Sequence, residues 1–297
     1  MKITVTGSTG NISKPLTKVL VQQGHEVTVI SSNPDKQQDI EALGAIAAIG
    51  TIEDIAFLTN AFTGADAVYC MVPPVGYTEP DCIAYYSRIA RKYAQAIQLS
   101  GVKRVVHLSS FGAHLDKGTG IILGAHHAEV ILNQLPGINI THMRPTYFYY
   151  NLFSFIEMIK HRSVIAANYG GADKIELVSP ADIAVAIAEE LTTTVTTSGK
   201  VRYVVSDERT GHEIASVLGA AIGKPDLKWA IISNEEMQAG MEAHGVPSLL
   251  AAGLTEMFAS LHDGTMAEDF HLNKPAVTGK VKLTDFAEDF AAAFKQK

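Results

Sequence analysis

Cysteine is scarce in this chain, with Cys70 and Cys82 as its two thiols. Two thiols make neither a disulfide framework nor a zinc site. Basic charge is in deficit as well. Lys and Arg number 24 against 31 Asp and Glu, for a formal net charge of -7 and a pI of about 5.9. A general nucleic-acid binder carries a basic face, so no nucleic-acid partner is expected. No apolar run is long enough to span a bilayer. The opening "MKITVTG" lacks the charged-then-apolar layout of a signal peptide. These absences lead us to expect a cytoplasmic protein with no membrane partner. Internal repeats, low-complexity tracts and obvious flexible linkers are missing too.

What is present favours a large core. The chain has 297 residues, 47% of them hydrophobic and 19% charged, which suits one or two globular domains. "KITVT" (2–6) is short, β-branched and apolar, as a buried strand is. Similar strands are expected at 26–30, 45–50, 67–72, 103–110 and 138–145. Between them fall helical patterns such as 14–23, 52–62, 81–99 and 125–135. Such alternation implies a doubly wound parallel α/β sheet. Ligands of such sheets sit beyond the carboxyl ends of the strands, here 7–13, 31–36, 70–80, 109–120 and 145–152. Later strands are expected at 174–179, 201–206 and 226–232, with mainly helical structure after 212.

"VTGSTGNISKP" (5–15) fills the first strand-to-helix turn. Gly7 and Gly10 supply positive φ or close backbone approach. Asn11 and Ile12 then lie where free N–H groups at a helix start would hold a pyrophosphate, and Thr9 in the same turn is counted with the cofactor site. Ser13 stands where a third glycine is usual, and smallness is what that position needs. Pro15 puts the helix start at about residues 11–14. The end of the second strand, "VISSNPDK", has no carboxylate to grip a ribose. Ser31, Ser32 and Asn33 are neutral donors and Lys36 follows, which favours NADP over NAD and leaves NAD open. An ordinary solvated lysine is the other reading of Lys36.

With those residues in place the chain resembles the NmrA-like family of atypical short-chain dehydrogenases/reductases, almost end to end. The resemblance rests on "VTGSTGNIS", "TGADAVYCMVPP", "GVKRVVHLSSFGAH", "INITHMRPTYFYYNL", "VSPADIAVAIAEEL" and the tail "AVTGKVKLTDFAEDFAAAF". It implies a Rossmann-like NADP-binding core and a smaller, mainly helical C-terminal part that covers the cofactor. We place the core at 1–155 with 174–206 returning to it, and the smaller part at 156–173 and 207–297. The cofactor would pass Met71, Val72, Pro73, Ser109 and Ser110, and the backbone at Pro145, Tyr147 and Phe148 would line the nicotinamide ribose. Two departures stand out. Ser32 replaces an arginine common in the family, and Gly50-Thr51 replaces a glycine-aspartate pair near adenine.

Catalysis by the usual route lacks its parts. Ordinary short-chain dehydrogenases pair a tyrosine with a lysine spaced YxxxK, yet the helix here reads "GIILGAHHAEVIL". His126 or His127 falls near the lysine position and could donate a proton, or the pair could be one packed and one solvated histidine. Tyr147 is a further candidate donor or positioning group, and at least two of Tyr147, Phe148, Tyr149 and Tyr150 are expected to be core. Arg144 reads as a structural partner for a carboxylate. His126 and Glu129 share a helical face, but no further ligands accompany them and no metal is expected. Hydride transfer to a planar conjugated acceptor such as a quinone, dye or enone needs little beyond stacking. We therefore expect an NAD(P)H-dependent reductase of such a small molecule. A cofactor sensor that binds a partner protein is the rival. Residues 230–262 could roof the site with Met237, Met241, Leu249, Leu250, Leu254, Met257 and Phe258, or that stripe could be core. "DCIAYYSRIARKYAQAIQL" could support a homodimer or cover the sheet.

Overall fold

A computed structural model describes residues 1–74, 78–194 and 199–296. The crevice segment 70–80 therefore includes three residues, 75–77, that lie outside the described ones. The same holds for 195–198 within the returning segment and for the last residue of the C-terminal part.

The first half alternates strand and helix. Strands β1 (Lys2–Val5), β2 (Glu26–Ser31), β3 (Ile46–Ile49), β4 (Ala67–Cys70), β5 (Arg104–Leu108) and β6 (Asn139–Pro145) lie in one sheet. Helices α1 (Ser13–Gln22), α2 (Gln37–Glu41), α3 (Ile55–Phe62), α4 (Cys82–Ser100) and α5 (Leu123–Asn133) connect them. Every pairing in the sheet is parallel. β4 is buried along its whole length, which is why "AVYC" carries no polar alternation. The chain winds outward from β1 to β3, then returns to place β4 on the other side of β1. That reversal opens the crevice at the carboxyl ends of β1 and β4.

Both faces of the sheet are covered. Ile3, Val5, Tyr69, Val106 and Met143 pack with α1 residues Leu16 and Leu20. Val68, Cys70, Val105 and Ile140 pack with Ile89, Tyr93 and Ile97 of α4. Asp81 caps α4 by accepting the Ala84 N–H at 2.9 Å, and Gly101 ends it at φ 76°. The apolar face of α4 is thus spent on the sheet.

Beyond β6 the chain leaves that plane. β7 (Tyr147–Phe148), a 3-10 run (Tyr149–Phe155), α6 (Ile156–Arg162), β8 (Val164–Ala167), β9 (Lys174–Val178), α7 (Pro180–Thr192) and β10 (Lys200–Val204) follow in order. β10 joins the main sheet beside β6, giving the order β10-β6-β5-β4-β1-β2-β3. α7 packs on α1 and on the sheet. β9 does not enter that sheet. It pairs in parallel with β7 and antiparallel with β11 (Asp207–Thr210). Within 174–206, the segment read as returning to the core, β10 joins the main sheet, α7 packs on it, and Val178 of β9 reaches its core.

The C-terminal part adds α8 (Gly211–Ala221), β12 (Lys228–Ile231), α9 (Asn234–Ala243), α10 (Ser248–His262), α11 (Glu268–Leu272) and α12 (Leu283–Gln296). β12 pairs with β8. Its core is aromatic, with Phe111, Tyr149, Phe155, Tyr169, Trp229, Phe270 and Phe290 buried together. The methionine stripe reads differently in three dimensions. α9 buries none of its residues, and Leu249 is 61% exposed. α10 carries the contacts: Phe258 stacks on Tyr169 at 4.6 Å, and a side chain at Gly120 would collide with the Gly253 carbonyl oxygen. Among the described residues, no helix is long and apolar enough to cross a membrane.

Candidate active site

The phosphate loop is built from short contacts between the ends of β1 and β4 and the start of α1. Gly7 sits at φ 91°, and a Cβ there would lie 2.5 Å from Ser13 Oγ. Ser8 also takes a positive φ, 54°. Ser13 is buried and donates its hydroxyl to the Thr6 carbonyl at 2.8 Å. Smallness is therefore half of its role, and the hydroxyl lashes the first turn of α1 to β1. Thr6 Oγ1 accepts the Met71 N–H at 2.9 Å and ties β1 to the segment after β4. The helical ladder begins with Lys14 donating to the Gly10 carbonyl at 3.0 Å. The N–H groups of Asn11, Ile12 and Ser13 lie ahead of it, among the first N–H groups that a helix leaves without an intrahelical acceptor. Pro15 is the third residue of α1, inside the tolerated first turn. Gly7→Ala should cost about 1–3 kcal/mol through strain and the Ser13 clash, read as a lowered denaturant midpoint together with weaker dinucleotide binding.

The end of β2 is organised by serine hydroxyls. Ser8 Oγ donates to Ser31 Oγ at 2.9 Å, and the Asn33 N–H donates to Ser31 Oγ at 3.2 Å. Asn33 caps the next turn by accepting the Asp35 N–H at 2.9 Å. Ser32 is exposed. Lys36 is ion-paired with Asp39 at 2.9 Å, on the surface. Gly50 has a packing reason, because a Cβ there would meet the Phe57 ring at 2.5 Å.

The opposite side of the crevice gathers the segments after β4, β5 and β6. Tyr93 donates its hydroxyl to the Met71 carbonyl at 2.7 Å, Val72 is buried, and Pro73 is half-buried. The Ser109 N–H donates to the Met143 carbonyl at 2.8 Å, and the Phe111 N–H to the Pro145 carbonyl at 3.1 Å, with Ser110 between them. Phe148 stacks on Tyr150 with ring centroids 5.0 Å apart. Tyr147 instead hydrogen-bonds Tyr169 through its hydroxyl at 2.8 Å. Burial pushes the Tyr147 phenol above its usual range, the Tyr169 bond offsetting part of this. Tyr149 is core, stacked on Phe286 at 5.2 Å.

Beneath Ser109 lies a buried charge network. Ser109 donates to Glu129 Oε1 at 2.5 Å. Glu129 receives a two-pronged pair from Arg144, at 3.0 Å from Nε and 2.7 Å from Nη2. Arg144 also donates to Asp269 at 3.0 Å and to Tyr203 at 3.2 Å. Burial alone would lower the Arg144 pKa, but the Glu129 hydrogen bonds and charge hold it above the usual value. Arg144 thus pairs with a carboxylate, and Glu129 is committed to Ser109 and Arg144. His126 Nδ1 lies 3.0 Å from the Ala113 carbonyl, and His127 is exposed with its ring edge-on to His126 at 5.6 Å. A carbonyl partner makes Nδ1 the protonated nitrogen and leaves Nε2 as the acceptor of the neutral ring. Among the described residues, no group of three or more His, Cys, Asp or Glu could hold a metal ion.

Tyr203 and Asp269 escaped the sequence reading. They lie 59 and 125 residues from Arg144, and no local spacing joins them. The legible signals were Arg144 as a partner for a carboxylate and the glutamate three residues after His126.

The family model described as the NmrA-like family matches residues 1–290. The chain belongs to the NmrA-like family. The chain is 26% identical over 296 residues to an NAD(P)H azoreductase of Xenophilus azovorans, covering 98% of this chain and 99% of that one. Among solved structures, an NADPH-dependent quinone oxidoreductase from Escherichia coli in complex with NADPH aligns with a TM-score of 0.81 at 23% identity, covering 97% and 99% of the two chains. The triphenylmethane reductase of Citrobacter sp. complexed with NADP(H) aligns with a TM-score of 0.78 at 20% identity, covering 97% and 99%. The likeness to these structures shows the NmrA-like member to have their α/β fold, with its parallel seven-stranded sheet.

Proposed function

We propose that this protein is an NADPH-dependent reductase, also open to NADH, that transfers hydride to a planar conjugated small molecule such as a quinone, azo dye or enone. The end-to-end relation to the azoreductase carries this reading. The phosphate loop supports it, because Gly7 leaves a cradle that a Cβ would fill. The reduced nicotinamide supplies the hydride. Asn11 and Ile12 hold the pyrophosphate by their N–H groups, with Thr9 and Gly10 shaping the turn. Ser31, Ser32 and Asn33 meet the adenosine ribose, and Lys36 adds positive charge at the 2′ position, tempered by Asp39. Met71, Val72, Pro73, Ser110, Pro145 and Phe148 wall the nicotinamide. Ser109 spends its hydroxyl proton on Glu129, so its oxygen faces the cofactor as an acceptor. The compartment is the cytoplasm.

The proton that completes reduction comes from His126 Nε2 when that ring carries a proton on both nitrogens, with water as the alternative donor and exposed His127 beside it. Tyr147 shapes the wall and moves no proton, because its hydroxyl is bound to Tyr169 and its ionisation is suppressed by burial. Tyr147→Phe should therefore leave kcat within about twofold while lowering stability by about 1 kcal/mol, the worth of one buried hydrogen bond. Steady-state rates and thermal melts of the variant check both halves. The reading as a whole is tested by titration with NADPH and NADH, followed by a panel of quinones, azo dyes, triphenylmethane dyes and enones. Tight cofactor binding with no acceptor-dependent NADPH oxidation anywhere in the panel would overturn it.

A further inference from the structure

A cleft of about 580 Å³ opens between the phosphate-loop helix and the C-terminal helix α12, a volume within the range of small-molecule sites. Asn11 lines one end of it, one residue beyond Gly10. Its wall is aromatic. Tyr150, Phe153 and Phe286 line it, with Phe153 and Phe286 centroids 5.1 Å apart. Phe148 stacks on Tyr150 at 5.0 Å, so this wall backs onto the segment after β6. Asp285 and Asp289 also line it, one turn apart on α12. Among the described residues, no lysine or arginine lines the cleft. Asp285 accepts the Lys282 N–H at 2.8 Å, whereas Asp289 has no hydrogen bond or ion pair among the described residues.

These features select an occupant. Two carboxylates repel a dinucleotide pyrophosphate, so this is not a place for the cofactor. Uncompensated negative charge in a concave site concentrates cations. Aromatic faces bind flat rings and attract positive charge through their quadrupoles. The anchoring of α12 makes the wall a fixed one. Asp182 accepts the Lys280 N–H at 2.9 Å and the Val281 N–H at 3.1 Å, and Lys282 Nζ donates to the Gly279 carbonyl at 2.8 Å. We propose that this cleft is a binding site for a planar aromatic cation, adjoining the dinucleotide site at Asn11 and formed between the phosphate-loop helix and α12. The proposal goes beyond the reductase reading, since it needs binding and no turnover.

Isothermal titration of the full chain tests it, at low salt and with NADPH saturating so that the cofactor site is filled. The probes are N-methylquinolinium, neutral quinoline at pH 8 and 1-naphthalenesulfonate. The cation should bind about tenfold more tightly than the neutral ring, and the anion more weakly than either. Asp289→Asn should weaken the cation by about three- to fivefold and leave quinoline unchanged. Asp289 is exposed and unpartnered, so the melting temperature should not move. Asp289→Lys should abolish the preference for the cation, and Phe153→Ala should weaken both flat probes. Equal affinity for cation and neutral ring, or unchanged cation affinity in both Asp289 variants, would overturn the proposal.

Discussion

Replacing Glu129 with alanine should destabilise the protein by about 3–5 kcal/mol, the cost of stranding a buried charge. Glu129 and Arg144 are each 6% exposed, so water does not take over the lost contacts. Arg144 would keep Asp269 at 3.0 Å, but that carboxylate meets only one arm of the guanidinium. Ser109 would lose its 2.5 Å acceptor at the same time. A freed hydroxyl no longer presents a fixed lone pair to the crevice, so dinucleotide affinity should drop roughly tenfold. Glu129→Gln keeps the size and an acceptor oxygen, and should show a smaller loss of both. Denaturant unfolding and NADPH titration separate the two effects. If Glu129→Ala melted within a degree of the parent, the network would not be holding α11 and β10 against β6.

A strong loss of stability on acidification is the second large effect. His107 on β5 and His142 on β6 are buried, with their Nδ1 atoms 3.0 Å apart. His142 Nε2 lies 3.0 Å from Asn133 Oδ1, so it donates there and its Nδ1 accepts from His107. That arrangement is satisfied when both rings are neutral. Burial depresses both pKa values from 6.5 to about 3, and for His107 the neighbouring His142 adds to it. The unfolded chain therefore binds more protons between those limits, and stability falls as pH drops below 6.5. Each histidine contributes about 2 kcal/mol of this loss by pH 5. One group opposes the trend. Burial raises Glu176 to about 7, so the folded state holds its proton where the unfolded chain releases it. Two histidines against one carboxyl leave a net loss on acidification. Chemical denaturation from pH 8 to pH 4 should show it, and a His107→Leu, His142→Leu double variant should flatten the slope. An unchanged slope in that variant would show that other groups govern acid lability.

Much of the cofactor side was legible from local pattern. Buried parallel strands are apolar runs, and the turns between them carry glycine and small polar residues where the backbone must bend. That is why "VTGSTGNIS" and the first six strands could be placed within a few residues. β9 was legible as a strand but not as a member of a different sheet. Extended residues look alike whether their partner is β10 or β7, and pairing is a long-range choice. The histidines near "GAHHAE" could be named, but their state depends on what surrounds them. His126 is tied to Ala113 and His127 is exposed. Tyr147 was legible as a candidate donor or positioning group, but its hydroxyl partner Tyr169, 22 residues away, was not.

By itself, then, the sequence determined the alternating α/β architecture, the phosphate loop and the absence of a tyrosine–lysine pair. Each is written in spacings of a few residues, because helix and strand periods and tight turns are local. The tertiary structure alone decided that Ser109, Glu129, Arg144, Tyr203 and Asp269 form one network. It also decided that two histidines share a proton-poor interior, and that α12 closes an acidic aromatic cleft beside Asn11. Those outcomes depend on desolvation and on which distant groups meet, and neither is encoded in neighbouring residues.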